Sequence, residues 1–353
     1  MSATASGSDS SGGDSGSRWM VSVIVPCRNE AAAIDAFCAS ALAQALPPPW
    51  RMEVLVADGL SDDGTRAALA AWAARDARLR VIDNPRRIVS SALNAALAQA
   101  RGEVIVRMDV HTQFAPDYIA QCLHALARTG ADNVGGPWVA RGQDAASGAI
   151  AAAFQCRWVV GGALSRDLDY EGWVDTVYLG CWPRAVFERF GGFDEQLARN
   201  QDDEHNLRMR LGGARLWQSG RIHSVYQPRD RVRNLFMQQL QYGYWRVFVM
   251  RKHGQVGAAR QLVPALFVLA LLLALAATPW TRWPLAALLG SYAAYLTGAC
   301  VAAARAAGNW RLLPRLPLVV AAFHTGYGLG VWRGLCAALL RAGHGAGTQT
   351  LTR

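Results

Sequence analysis

The sequence predicts an α/β domain built on a mainly parallel sheet and followed by membrane-spanning helices. Three observations lead there. Short runs rich in Val and Ile alternate with Ala-rich segments from residue 21 onward. Long uncharged stretches replace that alternation after residue 262. Hydrophobic residues make up 52% of the 353 positions, high for a purely soluble chain.

Residues 21–26, 52–57, 79–82 and 103–108 read as buried strands, being short, β-branched and followed by polar turns. Residues 31–45, 65–75 and 88–100 read as the helices between them. Such alternation implies parallel strands with helices on both faces, an architecture that binds ligands beyond the carboxyl ends of its strands. After residue 131 the pattern loosens, with Gly135-Gly136-Pro137, Gly161-Gly162 and Gly191-Gly192 as punctuation, and mixed strands and loops are expected. Residues 202–211 read as a short helix stopped by Gly212-Gly213, and residues 231–252 as a longer aromatic one.

Residues 262–280 and 285–304 are uncharged and about as long as the ~20 residues that cross a ~30 Å hydrocarbon layer. Residues 316–340, interrupted by His324, several glycines and Arg333, form either a third span or a re-entrant hairpin. Arg246, Arg251, Lys252 and Arg260 precede the first span, Arg282 lies between the two, and Arg305, Arg311 and Arg315 follow the second. The positive-inside bias therefore places the preceding domain in the cytoplasm. The expected division is a Ser/Gly-rich disordered tail at 1–17, a catalytic domain at 18–254, a membrane domain at 255–341 and a polar tail at 342–353. The tail at 1–17 lacks the basic start and apolar core of a signal peptide.

The formal charge of +10 is carried almost wholly by arginine, Lys252 being the single lysine. It suits nucleotide diphosphates and anionic headgroups, or serves only as cytoplasmic-side anchoring. No basic run is interleaved with aromatics at the spacing of a nucleic-acid module, so nucleic acid is not an expected partner. The seven cysteines are scattered without a Cys-x-x-Cys pair, which argues against a disulfide framework or zinc site.

Three strands end in polar turns: Pro26-Cys27-Arg28-Asn29-Glu30 after the first, Asp58-Gly59 to Asp63-Gly64-Thr65 after the second, and Asp109-Val110-His111 after the fourth. Asp58 can bond a base or ribose, or the second segment is a pair of turns with Ser61 as helix cap. Asp109 and His111 lie two apart at a strand end and are expected to share a face. A carboxylate there can hold Mg²⁺ or Mn²⁺, and an imidazole favours Mn²⁺ or donates to phosphate. Asp202-Asp203-Glu204 either merely stabilises a helix start or supplies a general base, with Arg208 as partner to an acid or a phosphate.

Taken in order, these segments resemble the family-2 glycosyltransferases, specifically the membrane-bound branch of succinoglycan-type exopolysaccharide glucosyltransferases. The resemblance also draws on Gly191-Gly192-Phe193-Asp194-Glu195, spans about residues 21–254, and is extended by His324-Thr325-Gly326-Tyr327-Gly328-Leu329-Gly330. It implies a GT-A, Rossmann-like fold. It implies that Pro26, Arg28, Glu30 and Asp58 hold the nucleoside, that Asp109 is the first acid of the Asp-x-Asp metal motif, and that Asp202 is the catalytic base. The implied reaction moves one sugar, with inversion, from a nucleotide-sugar donor to a lipid-linked or saccharide acceptor at the membrane, with Mn²⁺ or Mg²⁺ as cofactor. Two departures stand out: His111 replaces a second Asp, and Gln201 replaces a Glu before the catalytic Asp. The Gln-x-x-Arg-Trp motif of processive synthases is absent, and Gln241 to Arg246 occupies its place; Arg246 either meets the donor diphosphate or lies at the membrane interface with Trp245. Two other readings compete. A nucleotidyltransferase would carry a Gly-rich phosphate loop after the first strand, where Pro26 to Glu30 stands instead. A non-catalytic membrane scaffold is favoured by His111 and Gln201 and opposed by the survival of Asp58, Asp109 and Asp202 together.

Overall fold

The computed structural model describes residues 19–340, so the expected tails at 1–17 and 342–353 lie outside the described residues. The chain opens with β1 (Met20–Cys27), α1 (Ile34–Leu42), β2 (Arg51–Asp58), α2 (Thr65–Arg75), β3 (Leu79–Asp83), α3 (Val89–Gln99) and β4 (Val104–Arg107). These strands pair in parallel in the order β3-β2-β1-β4, with Val23 opposite Val54 on one side and Val106 on the other. Alternation along β1 builds two cores. Val21, Val23 and Val25 pack with Ile34 and Phe37 of α1 and Leu69 of α2. Ile24 faces the opposite layer, with Leu93 of α3 and Trp182. Each such side chain removed from water contributes roughly 1.5–3 kcal/mol, so a one-residue slip of register would forfeit both cores.

The first helix is shorter than the expected 31–45. The carbonyl of Glu30 accepts from the amides of Ala33 and Ile34, and Ala31 N donates to Asp63 at 3.1 Å, so residues 31–33 belong to a turn. At the other end α1 stops at Leu42, ahead of three consecutive prolines.

Beyond β4 the order of elements is β5 (Thr112–Phe114), α4 (Tyr118–Thr129), β6 (Asn133–Gly136), β7 (Val139–Ala140), α5 (Ala145–Gln155), α6 (Arg157–Val160), β8 (Gly172–Val174), β9 (Tyr178–Pro183), α7 (Ala185–Phe190), α8 (Gln201–Leu211), β10 (Leu216–Gln218) and β11 (Ser224–Tyr226). The large sheet continues β4-β9-β6-β10-β8, with β9 antiparallel to both neighbours, and β5-β11-β7 forms a small second sheet. After β3 the chain returns to the far side of β1 to lay down β4. That reversal creates the switch point at which open α/β sheets bind ligands.

The C-terminal part holds α9 (Val232–His253), α10 (Val263–Ala276), α11 (Trp283–Ala306) and α12 (Leu316–Leu339). Two stretches, Ala259–Ala276 and Trp283–Ala306, are long and apolar enough to cross a membrane. Most of their surface is uncovered by protein, with Leu266, Leu273 and Leu289 exposed. The third apolar segment is one continuous helix, which excludes the re-entrant hairpin. Its glycines serve close packing. A Cβ on Gly330 would run into the Leu240 carbonyl of α9, and one on Gly243 of α9 into the Tyr327 carbonyl of α12. His324, which interrupts the apolar run, bonds Val159 O at 3.1 Å and Tyr292 Oη at 3.2 Å. Gly330→Val is therefore expected to push α12 off α9 and destabilise the protein by about 2 kcal/mol or more. Thermal unfolding in detergent measures this, and an unchanged Tm would show that the close approach carries no stability.

Candidate active site

The site is assembled at the carboxyl ends of β1, β2 and β4. Two turns interlock at β1 and β2. Asn29 N donates to Ser61 Oγ at 2.7 Å, Glu30 N to Thr65 Oγ1 at 2.7 Å, and Asp62 N to Asn29 Oδ1 at 3.0 Å. Asp58 is fully buried and accepts from Ser61 N, Ser61 Oγ and Arg66 Nη1 at 3.1, 2.5 and 3.0 Å. Ser61 therefore ties the two turns together and does not cap α2, whose N-cap is Gly64 in the left-handed region at φ 99°. Asp63 holds the amide and hydroxyl of Thr65, and the hydroxyl bond above all lowers its carboxyl to about 2. Pro26, Arg28, Glu30 and Asp58 thus lie in one corner, with the stem of Arg28 against Gly59.

Asp109 lies next to that corner, since β4 pairs directly with β1. The fourth strand ends at Arg107, earlier than the expected Met108, and Thr112 N donates to Asp109 O at 3.0 Å to close a turn. Strand alternation therefore does not extend from Asp109 to His111, contrary to expectation. Val110 points into the core, and His111 is exposed with its ring edge-on to Tyr226 at 5.8 Å.

Arg107 is the residue that sequence reasoning left without a role. It is buried on the strand two positions before Asp109 and grips that carboxylate with Nε at 2.9 Å and Nη2 at 3.0 Å. Its Nη1 is 4.0 Å from Asp202 Oδ2 and has no hydrogen bond of its own. One guanidinium thus joins the two acids from distant parts of the chain. The signal was present as the period-2 spacing of Arg107 and Asp109, but nothing in the sequence points to Asp202 as the third member.

The three acids at the start of α8 divide three tasks. Asp202 lies beside Arg107 with its side chain 39% exposed; partial burial and the neighbouring Asp203 raise its carboxyl above the usual range, against the pull of Arg107. Asp203 pairs with Arg246 Nη2 at 2.5 Å. Glu204 is fully buried and clamps Arg208 at 3.1 Å, Lys252 at 2.9 Å and His253 at 2.8 Å; burial opposes its charge, but these partners lower it to about 2. Arg208 also donates to the carbonyls of Phe190 and Gly192, so it braces the Gly191-Gly192 turn and is not set toward a phosphate. Arg246 is likewise buried behind the acids, beside Tyr327 of α12, and has its charge reinforced by Asp203 in spite of burial. Removing the Asp203 charge should lower the Asp202 pKa. A base works deprotonated, so Asp203→Asn is expected to shift the acid limb of kcat/KM to lower pH. A limb that stays in place or rises would separate Asp203 from the titration of Asp202.

Known proteins share this fold. Mannosyltransferase PcManGT from Pyrobaculum calidifontis, solved with GDP-Man and Mn²⁺, matches with a TM-score of 0.56 at 24% identity, covering 89% of this chain and 87% of that one. S. aureus TarS 1-349, solved with UDP-GlcNAc, matches with a TM-score of 0.50 at 16% identity, covering 90% and 92%. These similarities define a GT-A fold. The family model for glycosyl transferase family 2 matches residues 22–181. The chain is also 31% identical over 325 residues to the succinoglycan biosynthesis protein ExoA of Rhizobium meliloti (strain 1021), covering 89% of this chain and 94% of that protein. This chain belongs to glycosyltransferase family 2.

Proposed function

We propose that the protein transfers one sugar from a nucleotide-diphosphate sugar to a lipid-linked or saccharide acceptor at the cytoplasmic face of a membrane, with inversion and without processivity, in cell-surface polysaccharide synthesis. The observation that carries this reading is the Asp109–Arg107–Asp202 cluster at the switch point. It puts a diphosphate-side acid and a candidate base on either side of one fixed cation.

In this reading Pro26, Arg28 and Glu30 line the nucleoside corner, and Asp58 exchanges its Ser61 bond for one to the base or ribose. Asp202 takes the proton of an acceptor hydroxyl as its oxygen forms a bond to the anomeric carbon. The bond from that carbon to the diphosphate breaks on the opposite face, and a nucleoside diphosphate leaves. Burial and Asp203 raise the basicity of Asp202, which improves proton capture. Arg107 keeps both acids in place and prevents them from repelling one another as the proton moves.

The residues present fit a divalent cation that draws part of its shell from substrate. Arg107 uses two of the four lone-pair positions on Asp109, leaving two, and His111 adds an exposed imidazole at the same turn. Among the described residues no group of three His, Cys, Asp or Glu side chains is placed to hold a metal, so diphosphate and water must complete the coordination. When bound, Mn²⁺ or Mg²⁺ would offset the charge of the departing diphosphate.

Exposed apolar surface on the two candidate spans supports membrane attachment, and the flanking arginines support a cytoplasmic catalytic domain. The test is a donor panel: nucleoside diphosphate release from UDP-, GDP- and TDP-sugars by full-length protein in detergent, with Mg²⁺, Mn²⁺ or chelator. One donor is expected to be turned over, with at least tenfold loss on chelation. No release with any donor would reject the catalytic reading, and undiminished release in chelator would reject the metal role.

A further inference from the structure

Resting on that reading, we propose that Arg166 and Arg199 form a subsite for a phosphate or diphosphate group carried by the acceptor, on the side of Asp109 away from the nucleoside corner. Arg166 lies over Trp138, its Cζ 3.4 Å from the ring centroid. That ring packs against Tyr226 at 5.0 Å and Tyr178 at 5.7 Å. No carboxylate pairs with Arg166 among the described residues; Asp203 acts on it only through space, and burial pulls it down to about 10. Its Nη1 is sealed from solvent without a hydrogen bond. Holding a guanidinium this way is costly unless an anion arrives to use it.

A second cation lies near the Tyr226 phenol. Arg199 Nε donates to Gln241 Oε1 at 3.3 Å, and its neighbour Asn200 holds the Tyr242 carbonyl at 3.0 Å. Arg199 is half-buried, with the charge of Arg229 and the hydroxyls of Tyr226 and Tyr242 close enough to act on it. Gln238 Nε2 lies 3.4 Å from both of those hydroxyls. Planar guanidinium groups interleaved with phenolic donors match an anion that presents several oxygens, and a phosphate fits that description best.

The sheet order says which substrate brings it. The nucleoside corner lies at β1 and β2, on one side of β4 and Asp109, whereas Trp138 follows β6, two strands beyond β4 on the other side. At ~4.8 Å per strand the separation from Asp109 is roughly 10 Å, so a diphosphate at Asp109 leaves this subsite open for the incoming substrate. The segment that carries Arg166 also adjoins the apolar helices: Tyr295 of α11 bonds the Trp158 carbonyl, and Trp158 is 60% exposed. A lipid-borne phosphate and a free phosphorylated saccharide present the same chemistry here.

Calorimetry on the full-length protein in detergent tests the assignment with three probes: farnesyl diphosphate, galactose 1-phosphate, and the nucleoside diphosphate released in the donor panel. Arg166→Gln and Arg199→Gln are expected to weaken at least one of the first two by tenfold or more while leaving the nucleoside diphosphate within twofold. The more tightly bound probe separates a lipid-borne from a free acceptor. Arg166→Lys keeps the charge without the planar guanidinium and is expected to fall between, which preserves the test if the Gln variant misfolds. Equal loss for the nucleoside diphosphate would assign the arginines to the donor. Unchanged binding of every probe in the variants, or wild-type protein that binds the nucleoside diphosphate alone, would also overturn the proposal. Wild-type protein that binds none of the three would instead reject the transferase reading beneath it.

Discussion

Asp202→Asn is expected to lower kcat by about 10³-fold, within the range of roughly 10²–10⁴ that a positioned general base contributes. The substitution preserves shape and keeps a group that can accept from Asp203 N, which bonds Asp202 Oδ1 at 3.0 Å. It removes only the ability to take a proton. Affinity for the nucleoside diphosphate should therefore stay within about twofold, because the nucleoside corner is built from β1, β2 and the turns that follow them. Turnover within tenfold of wild type, measured as nucleoside diphosphate release with the true acceptor, would assign the base elsewhere.

Arg107→Met is expected to act on both stability and rate. Breaking a buried pair from one side leaves an uncompensated carboxylate, a loss of roughly 3–5 kcal/mol. Asp109 is the group left stranded. Arg107 also holds the Asp202 pKa down, so its loss should raise that pKa and move the acid limb of kcat/KM to higher pH, the reverse of Asp203→Asn. The double variant Arg107→Met with Asp109→Asn should recover much of the lost stability while remaining inactive, since the pair is then removed whole. If the single variant unfolds at the wild-type temperature, the bridge between the acids carries no structural weight.

Much of the fold was legible because its signals are local. Val21 to Val25, Val54 to Val56 and Val104 to Val106 are β-branched runs too short for helices and too apolar for a sheet with one wet face, and a central parallel strand is what remains. The limits of α1 were less legible: Ala31 to Ala33 have good helix propensity, but Glu30 and Asp63 capture their amides. Within 202–204 the three acids are indistinguishable in sequence. Their roles differ only because successive helix positions are 100° apart, so that one faces Arg107, one Arg246 and one the Arg208, Lys252 and His253 cluster.

By itself the sequence determined the layers, the polar turns at the carboxyl ends of β1, β2 and β4, and the two apolar stretches, since these follow from periodicity, turn chemistry and length. Only the tertiary structure decided which charges meet. It gave Arg107 both Asp109 and Asp202, turned Arg246 toward Asp203, set Arg166 on Trp138, and laid α12 along α9 through Gly243 and Gly330. Apart from Arg107 with Asp109, such pairings join residues tens of positions apart. They are set by the order in which strands enter the sheet and by how closely helices can approach, neither of which a local pattern encodes.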